Sequence, residues 1–350
     1  MSDQRLTIDP ARRQPPIRKS TGTADRPFPQ PKHVIGKPAS SSSSDQPDGS
    51  VTFVGTATTL LHFPPLTILT DPNFLHKGDH VHLGPGVNST RVTDPAIELE
   101  ELPDIDVVLL SHYHEDHFDK EVEDKLRRDL PIITTPHAKK CLTEDKAVDE
   151  KFSDVYDVDT WQSMFVSAVR SSGGKDQGIT GRSVKVTAMP GKHVPPGFLE
   201  KANDLLGAVP PTNGWMVELG SESHTSVFET GYRIYITGDT LLVDDLVSIP
   251  QRYSDAGKPI DLMIAHLGGT TIPSPSIPLL MVTMDGKMGV ELIKLVKPEV
   301  TIPVHYDDYD VFASPLDDFK EEIKKAGLES KVVFLDRGDR YDFRMRNNKT

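Results

Sequence analysis

The chain has little of what several protein classes need. It holds one cysteine, Cys141, in 350 residues, so no internal disulfide can form and a reducing, cytoplasmic compartment is expected. Cys141 sits in "HAKKCLTED", a helical pattern without a group to activate the thiol. No stretch of about 18 apolar residues exists, so stable membrane insertion is not expected. The opening "MSDQRLTIDPARRQPPIRKS" has no apolar core of the kind that secretory signals carry. Basic residues are outnumbered, with a formal net charge of −13, which argues against nucleic acid as a partner. There is no G-x-S-x-G elbow and no phosphate-cradling Gly-Lys-Ser loop, so neither a serine nucleophile nor a bound nucleotide is indicated.

Residues 1–48 are rich in Pro, Ser, Arg and Lys and end in "ASSSSSDQPDG". Nothing there repeats at a period that could bury a face, so a disordered tail is expected, with one folded domain over 49–345. Within that domain, "VTFVGTATTLLHF" and "LTILTDP" read as paired strands, and "DVVLLSH" as a strand covered on both faces. "DKEVEDKLRRDL" places Val122, Leu126 and Leu130 at helical spacing, which predicts a helix over 119–130. Further strands are expected at 183–191, 215–220, 226–230, 232–239, 261–269, 300–306 and 331–343, and helices at 243–249, 283–297 and 315–327. Strands with helices interleaved suggest two sheets packed face to face under helices, an α/β fold.

Three of the 13 histidines fall within "LLSHYHEDHFD", at His112, His114 and His117. In extended chain, residues two apart point the same way, so His112 and His114 can meet one ion. A turn into the following helix would redirect Asp116 and His117 toward a second. Imidazole and carboxylate donors suit zinc, with manganese or iron(II) as alternatives. One loop cannot complete two coordination spheres. Three other strand ends offer donors: His193 in "TAMPGKHVPP", Asp239 in "IYITGDT" and His305 in "VTIPVHYDD". His76, His80 and His82 lie in a Gly-rich loop read as rimming the pocket. His266 sits at another strand end.

The set "SHYHEDHFD", "PGKH", "TGDT" and "PVHYD", in that order, resembles the metallo-β-lactamase superfamily. "TDP" at 70–72 and "GP" at 84–85 resemble its branch containing N-acyl phosphatidylethanolamine phospholipase D and metal-dependent lactonases. The resemblance spans about residues 49–345 and implies a four-layer αββα sandwich with two divalent metals at one edge. It implies His112, His114 and His193 on the first metal, and Asp116, His117 and His305 on the second. Asp239 would bridge both, and Asp71 would brace the site from behind. Asp116, Asp239 and His266 are then the catalytic candidates, around a metal-bridging hydroxide that attacks the substrate.

The stretch "VPPGFLEKANDLLGAVPPTNG" departs from the phospholipase branch and is read as a lid or substrate wall. Phe198 within it, Trp215 after it and Tyr306 beside His305 are the candidate substrate contacts. The expected reaction is opening of a small cyclic ester or amide, a lactone or lactam. The alternatives are phosphodiester hydrolysis of the phospholipase D type and an iron-bearing redox member of the same fold. A small-molecule substrate is expected, and a homo-oligomer is left open.

Overall fold

The computed structural model describes residues 4–18, 26–36, 46–84, 86–169, 179–207, 209–222, 227–274 and 276–346. Two large sheets form its centre. In the seven-stranded sheet the strands Gln4–Ile8, Ser163–Val169, Ile179–Met189, Gly214–Glu222, Phe228–Ile236, Leu262–His266 and Val300–Val304 lie side by side in that order. In the eight-stranded sheet the order is Val155–Asp157, Ile132–Thr134, Val107–Leu109, Leu66–Thr70, Thr58–Phe63, Gly49–Gly55, Arg340–Phe343 and Val34–Gly36.

Alternation along the strands explains why both faces of each sheet are covered. Phe53, Leu61, Ile68 and Leu109 pack toward Val186, Val217, Ile234, Ile264 and Ile302, a core between the sheets. Their sequence neighbours Val54, Leu60, Leu69 and Val108 turn the other way, onto Val122, Ala138 and Leu142 of the helices Lys120–Lys125 and Pro136–Thr143. On the opposite outer face, Tyr235, Met263 and Ala265 pack with Ile249, Val290, Ile293, Phe319 and Ile323. Those residues belong to the helices Ser248–Arg252, Gly286–Val296 and Leu316–Ala326. The result is the helix–sheet–sheet–helix stack that was expected. Among the described residues no helix is long and apolar enough to cross a membrane.

Several expectations are corrected. Much of the 1–48 segment is laid against the domain instead of forming a tail. Gln4–Ile8 adds a parallel strand to Ser163–Val169, with Leu6 in the core, and Val34–Gly36 pairs with Arg340–Asp342. Arg13 reaches Asp106 at 2.8 Å. A sheet edge offers unpaired backbone groups to any extended segment, so a polar composition did not keep these residues out. Residues 1–3, 19–25 and 37–45 of that expected tail lie outside the described residues. The helix expected over 119–130 stops at Lys125. The N-terminal segment takes over its backbone: Arg18 N–H donates to the Lys125 carbonyl at 2.7 Å, and Arg127 N–H to Pro16 at 2.8 Å. Of the strand expected over 331–343, only Arg340–Phe343 forms.

Two small hairpins stand over one edge of the stack, His80–His82 with Asn88–Thr90 and Thr271–Ser274 with Ile277–Met281.

Candidate metal centre

Loops that leave the strand ends at this edge carry the titratable residues singled out in the sequence. The loop after Val107–Leu109 presents His112, His114, Asp116 and His117, of which His112, Asp116 and His117 are buried. His193 follows the strand Ile179–Met189, Asp239 follows Phe228–Ile236, and His305 follows Val300–Val304. All three are buried.

These seven side chains converge. One atom each from His112, His114 and His193 lies within 4.8 Å of the others, and the same holds for Asp116, His117, Asp239 and His305. Asp239 Oδ2 lies between the groups, 3.3 Å from His117 Nε2, 3.6 Å from His305 Nε2 and 4.0 Å from His193 Nε2. Asp116 Oδ2 stands 3.4 Å from His305 Nε2. A third group, Asp71, His117 and His266, shares His117.

The outer nitrogens are held from behind. His305 Nδ1 faces the Leu267 carbonyl at 3.1 Å, and His193 Nδ1 faces the Val282 carbonyl. A carbonyl only accepts, so each Nδ1 carries the proton and each Nε2 turns a lone pair inward. His112 Nδ1 is 2.9 Å from the Ser111 hydroxyl, and His117 Nδ1 is 3.6 Å from Asp71 Oδ2. The inward Nε2 atoms of His112, His114, His117 and His305 are buried and have no protein hydrogen bond. Four orphaned imidazole nitrogens aimed at two carboxylates have the chemistry that suits a divalent metal.

Electrostatics fit the same reading. Burial alone would push both carboxylates up. For Asp239 the imidazoles of His305 and His117 overcome it, and for Asp116 those of His114 and His117 do; both acids are held well below the usual range. Burial pushes His193 down to about 4 and His112 well below its ordinary value. Burial also opposes charge on His117, but Asp239 and Asp116 raise it well above normal. The two acids therefore favour the charged form of His117, which a cation in that place would disfavour.

Other expected site residues fall elsewhere. Asp71 lies behind the cluster: its Oδ1 accepts from Ser111 N–H at 2.7 Å, and its backbone is left-handed at φ 36°. His266 is buried, with Nδ1 3.1 Å from Asp239 Oδ1, so it holds the acid and does not face the pocket. Trp215 is corrected as a substrate contact: it lies in the core between the sheets, where an inward position of a central strand had to go. Tyr306 is corrected too, because it packs under the helices with its hydroxyl toward the Leu335 carbonyl. Phe198 begins the helix Phe198–Leu206 and is 85% exposed, pointing off the domain. From the same stretch Val209, not Phe198, lines the chamber beside the metal ligands. Asn203 grips Val209 twice, donating to its carbonyl and accepting from its N–H, both at 2.8 Å. His80 and His82 are exposed, and their neighbour Leu83 reaches the chamber.

Sequence reasoning missed three supports. Thr283 donates to Asp239 Oδ2 at 2.9 Å. Ser111 orients His112. Arg91 and Asp308 are fully buried beside the site and meet at 3.2 Å. Only the buried arginine had a signal, the one basic residue in the run "NSTRVTDP".

A double sheet under helices with this cluster at one edge defines a metallo-hydrolase of the β-lactamase type. The Beta-lactamase superfamily domain matches residues 67–306, and the chain belongs to that superfamily as a metal-dependent hydrolase. A metal-dependent hydrolase of Archaeoglobus fulgidus is 28% identical over 240 residues, covering 68% of this chain and 82% of the relative. One of Salinibacter ruber is 23% identical, covering 81% and 95%. Among solved structures, isothiocyanate hydrolase from Delia radicum gut bacteria superposes with a TM-score of 0.61 at 18% identity, covering 84% of this chain and 99% of that one. A metallo hydrolase from Ignicoccus hospitalis gives 0.54 at 19% identity, covering 85% and 99%.

Proposed function

We propose that this hydrolase carries two cations and opens small neutral esters or amides, lactones and lactams among them. His112, His114 and His193 would hold the first cation, Asp116, His117 and His305 would hold the second, and Asp239 is placed to serve either. The observation that carries this is the set of buried Nε2 atoms of His112, His114, His117 and His305 that make no protein hydrogen bond and face two carboxylates, while the Nδ1 atoms of His112, His193 and His305 are held from outside. The nitrogen and oxygen donors suit zinc, with manganese or iron(II) able to take the same places.

Two such cations supply a water that loses its proton near neutral pH and a Lewis acid for the attacked oxygen. The chain's own part is positioning. Asp239 keeps Oδ2 among the imidazoles while His266 holds Oδ1, so the carboxylate cannot rotate away. From there it orients the attacking water and passes the proton to the departing heteroatom. Hydrolysis joins the water oxygen to the carbonyl carbon and breaks the ring C–O or C–N bond; the proton ends on the released oxygen or nitrogen. Leu83, Val209, Ile272 and Val282 keep bulk water off the reacting face.

The apolar walls favour a neutral carbon electrophile over a phosphodiester, since among the described residues no Lys or Arg lines the chamber. The likeness to an isothiocyanate hydrolase, which by its name acts on a small electrophile, supports the same size class. The test is chelation followed by reconstitution, with lactones, lactams and bis(p-nitrophenyl) phosphate as substrates. Activity should vanish on chelation and return with zinc or manganese. Asp239→Asn and His114→Ala should each lose several orders of magnitude, because each removes a ligand. Activity that survives chelation and both substitutions would overturn the proposal.

A further inference from the structure

We infer that Thr270 is the hydrogen-bonding contact for the substrate, and that the substrate is uncharged with an apolar body. The inference rests on the two-cation hydrolase reading of the same site.

Thr270 is placed by a tight piece of backbone. The strand Leu262–His266 ends at the site, and Gly268 and Gly269 follow with φ of 98° and 57°. A Cβ on Gly268 would stand 2.5 Å from the His305 carbonyl, so the chain crosses directly over that residue. Thr270 then enters the chamber wall. Its carbonyl accepts from Val282 N–H at 2.9 Å, and it bridges to Phe312, so its backbone is fixed on two sides.

The side chain is different. Thr270 is 4% exposed and lines the same chamber as His114, Asp116, His193 and Asp239, yet its Oγ1 is buried and has no hydrogen-bond partner. Nearby threonines spend their hydroxyl protons inside the protein. Thr271 donates to the Gly269 carbonyl at 2.7 Å, Thr283 to Asp239 at 2.9 Å, and Thr240 to the Leu241 carbonyl at 2.9 Å. A buried hydroxyl left unpaired is unfavourable, and folded proteins keep few of them. Thr212, in the outer groove, also has an unpartnered hydroxyl, but among the described residues that line the inner chamber Thr270 carries the one hydroxyl without a partner.

The rest of the chamber indicates what the hydroxyl meets. Its other walls are Leu83, Val209, Ile272 and Val282, drawn from three separate segments. The chamber has room for about 10 Å³, about one water. It shares His193 and Val209 with an outer groove of about 410 Å³. Only a small polar atom of the substrate can face Thr270 there, and its body lies past Val209 in the outer groove, against Val194, Pro210 and Pro211, where Lys192 and Glu200 neutralise each other at 2.9 Å. A charged substituent inside would meet no counter-ion from the walls.

The test uses the full chain with its metal content measured. Pentanamide serves as a neutral, unreactive probe and pentanoate as its charged counterpart, both followed by calorimetry. A lactone series of increasing alkyl length is assayed in parallel. Thr270→Val should bind pentanamide at least tenfold more weakly and lower kcat/KM about 10- to 100-fold, the worth of one buried hydrogen bond, with metal content unchanged. Thr270→Ser, which keeps the hydroxyl, should stay within about threefold of the parent. Equal pentanamide binding by the parent and Thr270→Val, no pentanamide binding by the parent, or tighter binding of pentanoate than pentanamide would overturn the inference. A parent chain that takes up no cation but loses pentanamide binding in Thr270→Val would overturn the two-cation reading alone.

Discussion

His266 fixes Asp239 from the side away from the proposed cations: its Nδ1 is 3.1 Å from Oδ1, while Oδ2 faces His117 at 3.3 Å. Replacing His266 by Gln should leave the fold intact and loosen Asp239. Metal affinity should fall about 10- to 100-fold, as expected when a partner behind a ligand is lost. Zinc titration of the apoprotein reads this directly. Unchanged affinity together with unchanged activity would remove His266 from the site's support.

Arg91 and Asp308 are both fully buried, and Asp308 also takes Arg337 at 2.7 Å. Arg91 further donates to Asn73 at 2.5 Å, and Asn73 donates to the Tyr309 hydroxyl at 2.9 Å. Arg91→Met removes one partner of a buried pair and should cost about 3 kcal/mol in urea unfolding. Arg91→Lys should rescue little, because an ammonium cannot make the forked contacts. A loss below about 0.5 kcal/mol, the size of an ordinary surface substitution, would show the pair to be idle.

His62 gives a pH signature away from the metal ligands. Burial, helped by Arg13 and Arg340, pushes its pKa down to about 4 from 6.5. A depressed imidazole binds fewer protons folded than unfolded, so its contribution is full above pH 6.5 and is lost as pH falls toward 4. His62→Gln, which cannot titrate, should gain on the parent by roughly 2 kcal/mol between pH 7 and pH 4, discounted for partial solvent exposure. A stability difference that stays flat over that range would refute the shift.

The strand Gln4–Ile8 covers the edge strand Ser163–Val169. Deleting residues 1–9 should lower the melting temperature and raise aggregation, because an uncovered edge pairs with other chains. Calorimetry and light scattering on the shortened chain check both. An unaltered melting temperature would make this strand dispensable.

The cluster was legible because metal chemistry restricts residue type and strand ends restrict place: His112 and His114 two apart, then His193, Asp239 and His305 each after an apolar run. The layers were legible for a similar reason, since Ile234, Tyr235 and Ile236 are apolar on both faces, as a covered sheet requires. What failed was position relative to distant chain. Trp215 follows the lid stretch closely but points inward on its strand, and one step of a two-residue period decides between pocket and core. Gln4–Ile8 looked like tail because local composition does not report an open sheet edge 155 residues or more away. Thr270 and Thr283 carry no motif, because a hydroxyl gains its meaning from what three-dimensional packing leaves beside it.

Val209 is the shared partition between the outer groove and the inner chamber, and Asn203 holds it by both backbone groups. Its backbone is therefore seated on the helix that bears Asn203. That helix is tethered by an ion pair, Lys192 to Glu200 at 2.9 Å. Partly exposed ion pairs of this kind weaken with salt, so the support that the Lys192–Glu200 pair lends to the seating of Val209 falls as ionic strength rises.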